Sequence, residues 1–197
     1  MPPETGAQRE YLAALGEIAR RIADSLGNVA AQALPVRMYI AGGAALHFHT
    51  GERVSRDVDA AFSHRIALPE NLEVAYRDAD GAARLLYFDR NYNDALALMH
   101  EQAYDDAQPL ALAGVDPRVL DVRLLSPLDL AVSKLGRFAG HDRDDIAALA
   151  RHSLIDAASL RQRAEAALAG YVGDTARVEN TIDIACRIVD NSRSGSP

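Results

Sequence analysis

Residues Ile40 to Phe62 read I-A-G-G-A-A-L-H-F-H-T-G-E-R-V-S-R-D-V-D-A-A-F. Just before, Val36 to Ile40 is short and apolar apart from Arg37, which predicts a buried strand. Gly42-Gly43 breaks that strand, and a short helix is predicted over Ala44 to Thr50. Val54 to Phe62 predicts a second strand. Residues two apart on a strand share a face, so Asp57 and Asp59 are expected to present both carboxylates on one side while Val58 enters the core.

Two carboxylates on one face repel each other unless something positive lies between them. A hard cation such as Mg²⁺ answers that need, because it prefers carboxylate oxygens and often holds substrate phosphates as well. Taken alone, the two acids also suit the solvated face of an edge strand. Glycines at positions 42 and 43 let backbone N–H groups approach a phosphate closely, and a helix N-terminus adds positive potential. A plain strand-to-helix turn would use the same two residues. Both features within one short stretch are far more specific than either.

Outward from this stretch, Tyr11, Leu12, Leu15, Ile18, Ala19, Ile22 and Leu26 recur at helical spacing. Leu72 to Arg77 and Ala83 to Asp89 predict a hairpin around Asp78-Ala79-Asp80-Gly81. Asn91 to Gln108 carries no decisive pattern, and Val119 to Leu125 is a further strand candidate. From Ser126 onward the pattern is helical. Ser126-Pro127-Leu128-Asp129 combines an N-cap serine, a first-position proline and an acid at the third position. Gly140 is expected to end that helix, Asp142-Arg143-Asp144-Asp145 to cap the next, and Ser153 to Asp156 the one after. Asp174 or Thr175 starts a last helix with Val178, Ile182, Ala185 and Val189 on one face. The expected architecture is α+β: a mixed sheet of about five strands flanked by helices, with a helical C-terminal part. Residues 1–125 form the α+β domain with its N-terminal helix, 126–190 a helical part packed on it, and 191–197 a mobile tail rich in Ser and Gly.

The whole chain, 197 residues, is 49 % hydrophobic and 25 % charged, which excludes a disordered chain, a collagen and a disulfide scaffold. Lys and Arg total 21 against 28 Asp and Glu, a net charge of −7, which argues against a broad basic face for duplex nucleic acid. Cys186 is the sole cysteine, so no internal disulfide forms. No stretch approaches the roughly 18 to 20 apolar residues of a membrane span. Met1 to Glu10 lacks the layout of a signal peptide, so the cytoplasm is the simplest location. The histidines show no zinc spacing, and neither a P-loop lysine motif nor G-x-S-x-G occurs.

G-G-A-A-L at Gly42 to Leu46, followed by R-V-S-R-D-V-D at Arg53 to Asp59, resembles the nucleotidyltransferase superfamily with a DNA polymerase β-like fold. The pattern is most similar to the branch containing the abortive-infection nucleotidyltransferase toxins of toxin–antitoxin pairs. The resemblance implies that Gly42, Gly43 and Ser55 sit at a nucleoside triphosphate and that Asp57 and Asp59 bind Mg²⁺ or Mn²⁺. It also implies that a nucleoside monophosphate passes to an acceptor with loss of pyrophosphate. Arg53 would brace that site, or form an ordinary salt bridge.

A second block, Ser126 to Ala147, extends the resemblance through Lys134-Leu135 and Asp142-Arg143-Asp144-Asp145-Ile146. In relatives the lysine contacts nucleotide phosphates and the first aspartate helps complete the active site. Lys134 borders the apolar stripe of Leu128, Ala131, Leu135 and Phe138, and Asp142 also suits an N-cap. His141 stands where the relatives carry arginine, and the Lys134-to-Asp142 interval is short. Many members of the superfamily use a third carboxylate as a base, for which Asp121, Asp89, Asp142 and Asp145 are the candidates. The resemblance implies an acceptor that is an RNA or tRNA 3′ end, a protein side chain or a small molecule, and a cognate antitoxin if the chain is a toxin. The alternative is a nucleotide- or partner-binding module on the same fold without catalysis.

Overall fold

The computed structural model describes residues 6–91 and 97–194. The chain divides into two compact units, Met1–Tyr92 with Gln108–Leu124, and Asn93–Ala107 with Leu125–Pro197.

The first unit opens with α1 (Gly6–Ser25). Its heptad-like apolar spacing buries Tyr11, Leu15, Ile18, Ala19 and Ile22 along one side, against the antiparallel pair β4 (Glu73–Arg77) and β5 (Ala83–Phe88). The β4–β5 hairpin turns at Asp78–Gly81, as expected. Asp78 Oδ1 accepts the N–H groups of Asp80 and Ala82 at 3.0 and 2.9 Å, a self-closing acidic turn. β1 (Val36–Ile40) lies at the centre of a four-stranded sheet. It runs antiparallel to β3 (Ala60–Phe62) and parallel to β7 (Leu120–Leu124), with β6 (Gln108–Pro109) beyond, in the order β3-β1-β7-β6. A second sheet has the order β2-β5-β4, with β2 (Asp57–Val58) parallel to β5. Helix α2 (Gly42–Thr50) follows β1 directly and begins at the glycines themselves.

The architecture is α+β, but the sheet is divided. The single strand expected over Val54 to Phe62 is two short strands that belong to different sheets. The reason lies in where successive carbonyls are used. The Asp89 N–H donates to the Val58 carbonyl at 3.0 Å, on the β5 side. The Ala41 N–H donates to the Asp59 carbonyl at 2.9 Å, on the β1 side. Asp59 is therefore the residue at which the chain changes sheets.

Among the described residues, the second unit carries four helices, α3 (Pro127–Ser133), α4 (Gly140–Arg151), α5 (Ala157–Leu168) and α6 (Thr175–Ser194). Ser126 caps α3 as the sequence predicts: its Oγ accepts the Asp129 N–H at 3.1 Å and donates to Asp129 Oδ2 at 2.6 Å. Val178, Ile182, Ala185 and Val189 of α6 are all buried, and α6 packs on α4 and α5. Three local expectations change. Helix α3 ends at Ser133, and Gly140 opens α4 instead of closing α3; the reversal is made at Phe138, whose φ is 54°. Asp142 is not the first cap of α4. It is the third residue of the helix, within the first turn, and its side chain accepts the Ala139 N–H at 2.8 Å. Helix α6 runs on through Ser194, so residues 191–194 of the expected tail are helical and 195–197 lie outside the described residues. Of the stretch Asn91 to Gln108 that carries no sequence pattern, residues 92–96 lie outside the described residues; Leu98, Ala103 and Ala107 are buried and belong to this helical unit. Among the described residues, no helix is long and apolar enough to cross a membrane.

Candidate functional site

In the first unit a strand–turn–helix brings six of the singled-out residues into one chain of contacts. Gly42 begins α2 with φ +57°, a left-handed conformation that L side chains resist. A Cβ built there would overlap the Asp59 carboxylate, so the glycine and the acid share one space. At Gly43 a Cβ would lie 2.7 Å from Ser55 Oγ and 2.8 Å from Arg53 Nη2. Ser55 is buried and its hydroxyl donates to Asp57 Oδ1 at 2.5 Å. Gly42 thus meets Asp59, Gly43 meets Ser55 and Arg53, and Ser55 holds Asp57. Both aspartates are half-buried. The first N–H groups of a helix have no partner within it, so the start of α2 adds donors and positive potential beside these acids.

Two buried polar atoms in the same unit were not visible in the sequence. The Tyr11 hydroxyl and His47 Nε2 are buried without a hydrogen-bond partner among the described residues. Their rings meet edge-on, centroids 4.9 Å apart, and Tyr11 also touches Phe48 and Tyr76. His47 Nδ1 lies 3.1 Å from the Glu52 carbonyl oxygen, which can only accept. The ring proton therefore sits on Nδ1, and Nε2 carries the lone pair. Burial pushes the imidazole below its ordinary range against the opposing pull of that carbonyl. Burial also raises the Tyr11 phenol, with further contributions from Tyr76 and from the charges of Asp57 and Asp59.

Lys134 and Asp142 come together in the helical unit, in a buried ion-pair cluster. Lys134 Nζ donates to Asp145 Oδ2 at 2.6 Å and lies 3.9 Å from Asp142 Oδ1. Arg137 forms a fork on Asp142, Nε and Nη2 donating at 2.9 and 2.8 Å. Burial alone would raise the Asp142 carboxyl; Arg137, the Ala139 N–H and Lys134 outweigh it and hold the group below the usual carboxylate range. Arg143 stacks over the Phe138 ring, 4.8 Å from its centroid. A second cluster in this unit escaped the sequence reading: Arg163 donates to Asp129 Oδ1 at 2.8 Å and to Asp106 Oδ2 at 2.6 Å. Asp129 had the signature of a cap acid, and nothing in its spacing pointed to an arginine 34 residues on.

The candidates for a third carboxylate are all engaged. Asp121, on β7, accepts from Arg123 at 2.8 Å and lies 3.9 Å from Arg37. Asp89 accepts the Asn91 N–H at 2.8 Å in a turn. Asp142 and Asp145 are held as above. Among the described residues, no group of three or more His, Cys, Asp or Glu side chains is placed to hold a metal ion.

Residues 19–188 match the model of a family described as a nucleotidyltransferase of unknown function, DUF6036. The chain belongs to this family. The matched span of this nucleotidyltransferase family member runs from α1 into α6, so it takes in both the glycine–carboxylate chain of contacts and the Lys134 cluster. Neither the search of curated proteins nor that of solved structures gave a match.

Proposed function

We propose that this chain is a Mg²⁺-dependent nucleotidyltransferase. An acceptor oxygen attacks the α-phosphorus of a nucleoside triphosphate, the α–β phosphoanhydride bond breaks, and pyrophosphate leaves. The observation that carries the reading is the chain of contacts from Gly42 to Asp59 and from Gly43 through Ser55 to Asp57. The Asp59 carboxylate lies against the first residue of α2, and Ser55 links Asp57 to the second.

The donor set fits the proposed ion. Asp57 and Asp59 supply carboxylate oxygens only, and Mg²⁺ is commonly held by one or two carboxylates with the remaining positions taken by phosphate oxygens and water. Mn²⁺ suits the same oxygens. When bound, such an ion neutralises phosphate charge and orients the α-phosphate for in-line attack. In the proposal Ser55 fixes the rotamer of Asp57, the N–H groups at Gly42 and Gly43 receive phosphate oxygens, and Arg53 braces the turn. The resemblance extends the proposal to Lys134 at the phosphates and Asp142 in completing the site, although the cluster they form in the helical unit supports a scaffolding role first. The acceptor is an RNA 3′ end, a protein side chain or a small hydroxylated molecule. A toxin role would add a cognate antitoxin.

A second reading, a nucleotide-binding module without turnover, is favoured by one observation. Asp121, Asp89, Asp142 and Asp145 each already have an ionic or turn partner, so none is poised as a base.

The test is binding of the four ribonucleoside triphosphates, with and without Mg²⁺, to native protein and to the Asp57→Ala, Asp59→Ala double variant. Mg²⁺-dependent binding that is absent from the folded variant is the expected result. No binding by well-folded native protein overturns the transferase reading. Binding without pyrophosphate release across an acceptor screen selects the second reading.

A further inference from the structure

The sheet β2-β5-β4 is buried on one side and open on the other. Val58, Leu86, Phe88 and Tyr76 face the core. The open side of such a sheet is ordinarily polar, yet on β5 it carries Leu85 and Tyr87, 46 % and 40 % exposed. The register fixes what lies beside them. Asp57 of β2 pairs with Tyr87 in parallel register, and Tyr87 pairs with Glu73 of β4. Residues paired in this way share a face, so Asp57, Tyr87 and Glu73 form one row across three strands, each about 4.8 Å from the next. In the next row Leu85 stands opposite Ala75, whose small side chain leaves the leucine open. Single exposed apolar residues are ordinary. Here an aromatic ring and a leucine are consecutive on one open face, and the ring is in register with an aspartate of the proposed phosphate site.

We propose that Tyr87, backed by Leu85 and Ala75, is the stacking platform for the nucleobase of the bound triphosphate. The inference rests on the nucleotide reading and adds where the base lies. The start of α2 sets the direction: Ser55 ties it to the Asp57 end of the row, where its N–H groups favour phosphates, while Glu73 at the far end repels them, so the base lies over the tyrosine. Stacking on a ring face tolerates any base, because every base has a π-face.

The chain contains no tryptophan, so a Tyr87→Trp variant carries a single reporter at this position. Its emission is expected to be quenched saturably by ATP with Mg²⁺ and left unchanged by inorganic tripolyphosphate with Mg²⁺, which has no base. Tyr87→Val keeps a strand-forming residue and removes the ring. It is expected to bind ATP about tenfold more weakly, the scale of one base–aromatic stack, with tripolyphosphate affinity unchanged; Tyr87→Phe is expected to bind like the native protein. No quenching in Tyr87→Trp, or equal ATP affinity in folded Tyr87→Val, overturns the platform while leaving the nucleotide site intact. Native protein that binds neither ATP nor tripolyphosphate overturns both.

Discussion

Gly42 and Asp59 occupy each other's side-chain space: the carboxylate lies where a Cβ on the glycine would be. The contact exists because the Asp59 carbonyl is tied to the Ala41 N–H, which draws the acid against the first turn of α2. Gly42→Ala therefore meets two penalties, steric overlap with Asp59 and a left-handed φ worth about 1–3 kcal/mol for a residue with a Cβ. The variant should lose Mg²⁺-dependent triphosphate binding and melt lower. Adding Asp59→Ala should recover part of the stability, since the overlap goes, but none of the binding. A double-mutant cycle of melting temperatures measures the coupling; strictly additive effects would show that the contact carries no energy.

Tyr11 contributes its ring to the core and leaves its hydroxyl buried without a partner among the described residues. An unmade hydrogen bond in the interior costs about 1–3 kcal/mol. Tyr11→Phe should therefore leave the metal-free protein as stable as native or more so, by chemical denaturation. A loss of more than about 1 kcal/mol, the net value of one hydrogen bond, would mean that the hydroxyl is satisfied in solution.

The elements whose geometry follows from local periodicity were legible in the sequence. The buried stripe of α1, the strand β1, the acidic hairpin turn and the inward face of α6 all come from repeated apolar spacing or from turn chemistry within a few residues. The division of the sheet at Asp59 was not legible. Val58 and Ala60 read as one alternating strand, and only their partners, β5 and β1, send them to different sheets. Gly140 misled for a related reason: glycine breaks helices, but here the reversal falls on Phe138 and the helix begins at the glycine. At the candidate site the glycines, Ser55 and both aspartates stood out as a motif. Tyr11 and His47 did not, because a buried orphan atom has no signature until distant elements pack around it.

His47 makes the first unit sensitive to acid. Burial depresses its folded-state pKa, while in the unfolded chain the group titrates near about 6.5. The unfolded chain thus binds more protons between the two values, so stability rises with pH there. Its contribution is complete above about pH 6.5 and is lost as pH falls through the folded-state value. Denaturation midpoints measured from pH 7.5 to 5 should fall with pH in native protein and fall less in His47→Gln. Identical slopes in the two proteins would assign the acid sensitivity elsewhere.

Lys134 and Asp145 make a buried ion pair at 2.6 Å, the lysine 7 % exposed and Asp145 3 %. Removing Asp145 takes away the lysine's hydrogen-bonded partner and leaves Asp142 at 3.9 Å; breaking a buried pair costs about 3–5 kcal/mol. Asp145→Ala should therefore unfold readily. Replacing both with apolar residues of similar volume is often neutral, so Lys134→Met with Asp145→Leu should recover near-native stability. Asp142 keeps the Arg137 fork and the Ala139 N–H and needs no new partner. The folded double variant then separates two roles for the lysine. If Lys134 contacts phosphates, as the resemblance implies, pyrophosphate release should disappear from a protein whose denaturation curve is unchanged. Full turnover would show that the pair serves the fold alone.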